Sequence, residues 1–540
     1  MVLKVRDGRS APWIQWAKSI EKGGIGGAEG AIFALKTRQH SLHLQPIFTL
    51  FSLFMDFSNA SETYSNELEG FVSQQRAAVD LQHSIGKLLL DKSVELVLFR
   101  NHLANVTTSE ILRLHTYAAN VVGQPISVFD SAELAGLLHT MELAPAKIDL
   151  GKLASEWLTE GAGFDSKAAF LQAKLHAFLH ASNDALDPRD VVLYGFGRIG
   201  RLCARELIKQ AGKGQQLRLR AIVTRKVDAS ILENRASLLA NDSVHGEFGG
   251  SIEVDHDGSC LLVNGQRVHM VAASDPTAID YTQYGIQDAL VIDNTGVYRD
   301  REALSLHLQS KGVAKVLLTA PGKGVPNVVY GINHGDVNVD EETTYSAASC
   351  TTNAISPVLK VVEDVFGIEN GHIETVHAYT NDQNLLDNMH KKHRRGRSAA
   401  INMVITETGA GNAVTKVIPG LAGKLTANAV RVPTPNGSLA ILHLNLGKTV
   451  TRDEVLSAMK SAALTGDLVN QIHYSMNEEL VSSDIIGNEC CSVFDSPATI
   501  VSPDGKRVVL YVWYDNEFGY TKQVIRMAKY VAKVRRNLYY

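Results

Sequence analysis

The stretch Ser346-Ala347-Ala348-Ser349-Cys350-Thr351-Thr352-Asn353 places one cysteine among small and hydroxyl-bearing residues, directly before the apolar run Ala354-Ile355-Ser356-Pro357-Val358-Leu359. Ser, Thr and Asn ahead of an apolar-periodic run mark a helix start. A thiol at a helix N-terminus meets unpaired backbone N–H groups and the positive end of the dipole, and both favour the thiolate. A lone cysteine is also one of the commonest buried packing residues, so the flanking sequence has to decide. Further on, the strand-like Ile373-Glu374-Thr375-Val376 leads to His377-Ala378-Tyr379-Thr380. The chain between Cys350 and His377 has room for a helix and a return strand. A Cys–His couple supplies a thiolate nucleophile and a proton acceptor.

A second constellation lies upstream. The apolar strand Asp190-Val191-Val192-Leu193-Tyr194 is followed by Gly195-Phe196-Gly197-Arg198-Ile199-Gly200 and a helical run from Arg201 to Gln210. Between a strand and a helix, such glycines let the backbone approach a pyrophosphate seated on the helix N-terminus. The bland reading is a tight turn without a ligand. The next strand, Leu217–Val223, ends in Thr224-Arg225-Lys226 where a site that prefers NAD has an acidic residue for the ribose. A hydroxyl and two cations would not repel an extra phosphate, so NADP is expected to be accepted, alone or beside NAD. The competing reading leaves Arg225 and Lys226 simply solvated. Ala289–Gly296, a helix near Arg301–Gln309, and Lys315–Pro321 continue the alternation of strand and helix, which argues a parallel sheet with ligands at its strand C-terminal ends.

The elements that must position these residues occupy only part of the chain. With 540 residues the chain implies two to four domains; 45% of them are hydrophobic and 20% charged, as in a water-soluble globular protein. The net charge of −4 argues against a dedicated nucleic-acid binder. The five cysteines show neither a disulfide framework nor metal-ligand spacing, which points to a reducing compartment, the cytoplasm. The longest early apolar run, Ile47–Met55, falls short of the roughly 20 residues of a membrane span.

Residues 1–54 are basic, glycine-rich and aperiodic, and are read as a tail of uncertain status: a targeting peptide, a disordered tail, or sequence upstream of a start at Met55. Residues 55–187 read as a helical N-terminal extension. Thr107-x-x-Glu110 has the capping-box pattern, Asp130-x-x-Glu133 looks like another helix start, and Asp165 or Ser166 could cap a third. The polar break at 182–189 closes it.

Six motifs then carry a resemblance. Gly195-Phe196-Gly197-Arg198-Ile199-Gly200-Arg201, Ser349-Cys350-Thr351-Thr352-Asn353, His377-Ala378-Tyr379-Thr380, Thr408-Gly409-Ala410, Arg431-Val432-Pro433-Thr434-Pro435-Asn436 and Trp513-Tyr514-Asp515-Asn516-Glu517-Phe518-Gly519-Tyr520 stand in this order. Residues 188–540 thereby resemble phosphorylating glyceraldehyde-3-phosphate dehydrogenase, in the longer form with a helical N-terminal extension. The resemblance implies an α/β fold: a Rossmann NAD(P)-binding domain (188–349), an α+β catalytic domain (350–516) and a C-terminal helix (517–540) returning to the cofactor domain.

It further implies that Cys350 attacks the aldehyde of glyceraldehyde 3-phosphate, while His377 lowers the thiol's pKa and takes the proton. Inorganic phosphate then cleaves the thioester. Thr380 and Arg431 would bind the substrate phosphate, and Ser349, Thr351, Thr408 and Arg431 the attacking one. Cofactor contacts would come from Gly195 to Gly200, Thr224, Arg225, Thr295, Gly296, Thr319, Ala320, Asn516 and Tyr520. The basic run His390–Arg397 would lie in a loop at a subunit interface of a homotetramer. Two alternatives remain open: erythrose-4-phosphate dehydrogenase on the same scaffold, and a non-catalytic regulatory relative. The adjacent Cys490 and Cys491 read as packing residues, since vicinal cysteines rarely form a relaxed disulfide.

Overall fold

The structure is a computed structural model describing residues 45–179 and 187–540. Most of the tail and of the polar break lie outside these residues. The chain divides into two units, residues 1–73 and 74–540, the boundary falling within the helix Gln45–Lys92.

The cofactor domain forms around the strand Arg189–Tyr194, whose Val191, Val192 and Leu193 are fully buried. Continuous burial on both faces is what a central parallel strand requires. Leu217–Thr224 and Gln266–Ala272 extend the sheet on one side, Ala289–Asp293, Val313–Leu318 and Thr344–Ser346 on the other, all parallel. Cys260–Val263 and Ile252–Asp255 add two antiparallel strands at the edge. Strand order therefore reverses between Arg189–Tyr194 and Ala289–Asp293, and a ligand crevice opens at such a switch point.

The catalytic domain is built on a mixed sheet of eight strands, seven of them in one path. At its centre Ile368–Ala378 lies parallel to Leu425–Val432 and antiparallel to Ser438–Leu446, which pairs with Arg507–Tyr514. The helix Cys350–Phe366 lays Ala354, Ile355, Val358, Leu359 and Val362 on this sheet against Ile373, Leu442, Leu510 and Val512. Each buried Val, Leu or Ile is worth about 1.5–3 kcal/mol, so the nucleophile-bearing helix is anchored along its length.

The extension is mostly helical but contains a sheet that the sequence reading missed. Val94–Leu98 pairs in parallel with Ala146–Asp149, and a two-residue hairpin at Phe99–Arg100 adds Asn101–His102. The apolar run Val94-Glu95-Leu96-Val97-Leu98 carries strand propensity, but it follows a long helical pattern without an intervening Gly or Pro. The capping box at Thr107 and Glu110 forms as expected, and Ser166 caps its helix. The expected start at Asp130 moves to Ser127, whose hydroxyl accepts from the Phe129 amide.

The chain end corrects a second expectation. The terminal run forms a helix only over Phe518–Val531, burying Tyr520, Val524, Ile525, Met527, Ala528 and Val531 in the cofactor-domain core. Asn537–Tyr539 is instead a strand, parallel to Ala146–Ile148 in the extension's sheet. Arg536, buried, pairs with the half-buried Glu95 at 2.8 Å, and Tyr539 donates to Glu156 at 2.6 Å. The last residues thus complete the extension. Deleting residues 537–540 should speed amide exchange across Ala146–Ile148 by at least about tenfold, a loss of ~1.4 kcal/mol of local stability. Unchanged exchange would show that the strand adds nothing.

Candidate active site

Cys350 is the first residue of its helix. Ser349 is the N-cap, its Oγ accepting from the Thr352 amide at 3.0 Å. The turn before it holds buried Ala348 at φ +55°, a left-handed conformation that costs a non-glycine residue on the order of 1–2 kcal/mol. Two contacts enforce it: the Ala348 amide donates to Ser346 Oγ at 3.0 Å, and Tyr520 Oη donates to the Ala348 carbonyl at 2.9 Å. The strain is local and lies at the entry to the nucleophile.

His377 lies near the end of the strand Ile368–Ala378, and its Nε2 stands 3.6 Å from Cys350 Sγ. Parallel pairing places Arg431 directly beside it, in register with His377. The Ala378 carbonyl is 2.6 Å from His377 Nδ1 and accepts from Arg431 Nη1 at 2.7 Å, while Nη1 also approaches Nδ1 at 2.7 Å. With its hydrogen on Nδ1 the ring donates to Ala378, and the Nε2 lone pair is open to take a thiol proton. With Arg431 donating to Nδ1, the hydrogen sits on Nε2 and faces the sulfur. Taking and returning a proton at Nε2 works from the first of these, which passes through the imidazolium and back.

Burial holds the His377 imidazole down to about 3, with the Arg431 charge pushing the same way, so the ring is neutral near pH 7. Burial pushes the Cys350 thiol up; Arg431, the Thr351 hydroxyl and the helix-end amides oppose it. The cation that favours the thiolate is therefore Arg431, where the family resemblance had assigned that effect to His377.

Around this pair the structure gathers some of the expected anion ligands and engages others. Thr380 follows the His377 strand, and its hydroxyl donates to Asp382. Asp382 also accepts from Arg395, whose Nε donates to Thr406 Oγ1 at 3.0 Å. Thr406 ends the short strand Val404–Thr406, which lies antiparallel beside Arg431, and Thr408 follows, with Oγ1 accepting from the Ala410 amide at 3.2 Å. Arg431 Nε is buried without a partner among the described residues, an open donor where an anion is expected. By contrast Ser349 is occupied as the cap, and buried Thr351 bonds Tyr514 Oη at 3.0 Å. Their hydroxyls serve first to fix the nucleophile.

Asp382, Arg395 and Tyr514 were not singled out from sequence. Arg395 lay hidden in the basic run, although Asp382 stands only two residues past Thr380. Tyr514 packs edge-on against the His377 ring, 5.9 Å between centroids.

The cofactor crevice is equally definite. Gly195 has φ +94°, and a Cβ on Gly200 would meet the Gly195 carbonyl oxygen at 2.4 Å, so loop and helix close together only with glycine there. Gly197 caps the helix Arg198–Ile208 with no side-chain bond, which leaves the first amides of the helix for a pyrophosphate. The side chain of Arg198 is committed elsewhere: its Nη2 pairs with Glu517 at 2.6 Å and Asp242 at 3.1 Å. The contribution expected from Arg198 thus falls to its backbone.

Thr295 is fixed by Asp293 at 2.7 Å, and Thr319 Oγ1 donates to the Asp293 carbonyl at 3.0 Å. Asn516 Oδ1 accepts from Ser438 at 2.8 Å, and its amide nitrogen makes no bond among the described residues, a donor suited to a carboxamide oxygen. Tyr520 is buried in the core and acts on the turn rather than lining an open cleft. Thr224 donates to the Lys226 carbonyl at 2.9 Å, with Arg225 and Lys226 exposed and unpaired among the described residues.

A Rossmann crevice beside a cysteine–histidine–arginine cluster is the arrangement of a nicotinamide-dependent oxidoreductase. Residues 189–301 match the family model described as the NAD binding domain of glyceraldehyde 3-phosphate dehydrogenase, and residues 349–516 match its C-terminal domain. A glyceraldehyde-3-phosphate dehydrogenase-like protein of Pseudomonas aeruginosa (strain UCBPP-PA14) is 49% identical over 454 residues, 83% of this chain and 98% of that one. Glyceraldehyde-3-phosphate dehydrogenase of Clostridium pasteurianum is 41% identical over 351 residues, 64% of this chain and 99% of that one, and glyceraldehyde-3-phosphate dehydrogenase 1 of Bacillus subtilis (strain 168) is 41% identical over 344. The chain belongs to the glyceraldehyde-3-phosphate dehydrogenase family. It is longer than the Clostridium and Bacillus relatives, and the Pseudomonas match is too long to be confined to residues 188–540.

The electrostatics fix a pH dependence. Alkylation of Cys350 by iodoacetamide should rise continuously with pH through 8 as thiolate forms, with no limb from His377, which is already neutral there. Arg431→Met should move the thiolate limb to higher pH. An inflection near pH 6 that His377→Asn removes would contradict this assignment.

Proposed function

We propose that this protein catalyses the reversible phosphorylating oxidation of D-glyceraldehyde 3-phosphate to 1,3-bisphosphoglycerate. The observation that carries the reading is Cys350 at a helix N-terminus, 3.6 Å from His377 Nε2, beside an arginine with an unpartnered buried Nε. A dehydrogenase acting on a phosphorylated aldehyde needs a thiolate, a proton acceptor and anion ligands at one point. Cys350 Sγ adds to the aldehyde carbon and forms a thiohemiacetal. His377 Nε2 takes the hydroxyl proton as that carbon is oxidised to the thioester. Nicotinamide, when bound, supplies the hydride acceptor. Inorganic phosphate, held by Arg431, Thr408 and their neighbours, attacks the thioester carbon and releases the Cys350 thiolate with an acyl phosphate.

Arg225 and Lys226, exposed and unpaired after the second strand, favour acceptance of NADP beside NAD. Among the described residues no helix is long and apolar enough to cross a membrane. Free cysteines throughout the described residues suit a reducing cytoplasm.

The rival, erythrose-4-phosphate dehydrogenase, has the same Cys–His pair, and the assay separates them. Activity should require glyceraldehyde 3-phosphate and depend on inorganic phosphate. Cys350→Ser should lower kcat by more than about 10⁴-fold while leaving cofactor binding intact. Arg225→Ala should lower kcat/KM with NADP about tenfold, ~1.4 kcal/mol, and spare NAD. Phosphate-independent oxidation with a preference for erythrose 4-phosphate would reject the reading.

The segment 384–405 exposes Leu386 (75%), Met389 (95%), Ile401 (79%) and Met403 (75%) together with the basic run. Monomers rarely leave such side chains uncovered in one patch, and we propose that a second copy covers them within a homotetramer. Leu386→Asp should shift the mass in light scattering from four chains toward smaller species, and an unchanged mass counts against this interface.

A further inference from the structure

Away from Cys350, a cavity of about 1270 Å³ opens where the extension meets the dehydrogenase domains. Its walls include the Phe99–Arg100 hairpin and the helix Thr108–Val122 of the extension, residues 469–490 of the catalytic domain, and the helix Phe518–Val531 with the chain end. None of the residues placed at the cofactor crevice or around Cys350 lines it.

Cations outnumber carboxylates on these walls, and the inner carboxylates are already spent. Glu95 is held by Arg536 at 2.8 Å and Lys147 at 3.4 Å, Glu206 by Lys209 at 2.6 Å and Lys522 at 2.8 Å, and Glu489 by Lys522 at 3.1 Å and His102 at 2.7 Å. Of the others, Glu110 closes its capping box and Asp484 accepts from the Val481 amide, while Glu247 is exposed and unpaired among the described residues.

Six cations of the lining, Arg100, Arg113, Lys460, Arg526, Lys529 and Arg535, are left without a carboxylate among the described residues. Arg100 and Lys529 make no side-chain hydrogen bond or ion pair there, Arg526 reaches only the Asn470 carbonyl, and Arg535 lies over the rings of Tyr330 and Tyr530. They come from both sides of the cavity. Burial draws the Lys529 ammonium down to about 7 despite nearby Glu95, with Arg536, Lys147 and Lys522 adding to the effect. An unpaired ammonium in such surroundings is costly unless an anion joins it.

The Arg100 side is also built firmly. Asp149 accepts from the amides of Phe99 at 2.8 Å and Arg100 at 3.2 Å, fixing the turn, and Arg100 itself has φ +70°. The space far exceeds one phosphate, and Tyr117 stacked on His473 offers it a flat aromatic wall.

We propose that this cavity is a binding site for a small organic phosphate, separate from the catalytic site, in which the anion joins Arg100 of the extension to Arg526 and Lys529 of the dehydrogenase. ATP serves as the probe, titrated calorimetrically into the full chain with the cofactor crevice saturated by NADH. The wild type should bind ATP, and inorganic phosphate should compete weakly. R100Q/K529Q should weaken ATP binding at least tenfold with kcat unchanged. In two buffers of different ionisation enthalpy, the wild-type heat should report proton uptake that K529Q loses. R535Q, at an exposed position that does not threaten folding, should weaken ATP several-fold and decides the matter if the double variant does not fold. ATP heats that are absent in the wild type, or unchanged in R100Q/K529Q and R535Q, would overturn the site.

Discussion

The turn at Ala348 is the constraint on which the catalytic arrangement rests. A non-glycine residue held at φ +55° redirects the chain from the last strand of the cofactor sheet into the helix that carries Cys350. That helix is packed on the catalytic sheet, while the hydroxyl that clamps the turn belongs to Tyr520, buried in the cofactor-domain core. The two domains therefore meet at the peptide next to the nucleophile. Their joint packing supplies the energy that keeps the turn strained, and Sγ takes its position from both.

Electrostatics at the site follow from strand register. Leu425–Val432 runs parallel to Ile368–Ala378 so that Arg431 falls beside His377, and the two share the Ala378 carbonyl. One guanidinium then reinforces the burial that keeps the imidazole neutral, favours the thiolate and presents an open Nε for an anion. A slip of one residue would send Arg431 to the opposite face of the sheet and remove all three effects.

The residues from Glu517 onward join everything else. Glu517 pairs with Arg198 at the glycine loop, Tyr520 holds the nucleophile turn, and the following helix completes the cofactor-domain core. Arg536 and the strand Asn537–Tyr539 then enter the extension. The extension is thus tied covalently at its own end and by hydrogen bonds at the other end of the chain, and the cavity lies among these connections.

Six short motifs in order were enough to place the chain in its family, because glycine loops, a capped cysteine and phosphate ligands are dictated by local chemistry. The strands Arg189–Tyr194, Leu217–Thr224, Ala289–Asp293 and Val313–Leu318 of the cofactor domain were legible as apolar runs, while Ile252–Asp255, Cys260–Val263, Gln266–Ala272 and Thr344–Ser346 were not singled out. The Val94–Leu98 strand was not legible, since a short apolar run after a long helical pattern fits either period. The strand Asn537–Tyr539 gave no signal, because its partner lies nearly four hundred residues earlier and edge pairing depends on what is nearby rather than on its own sequence. The commitment of Arg198 to Glu517, of Thr351 to Tyr514 and of Arg431 to His377 was likewise decided by tertiary structure. Sequence alone determined which groups are available for chemistry. Only the packing of three bodies of structure decided which of them face the sulfur, since distance, burial and shared hydrogen bonds exist only after distant segments meet.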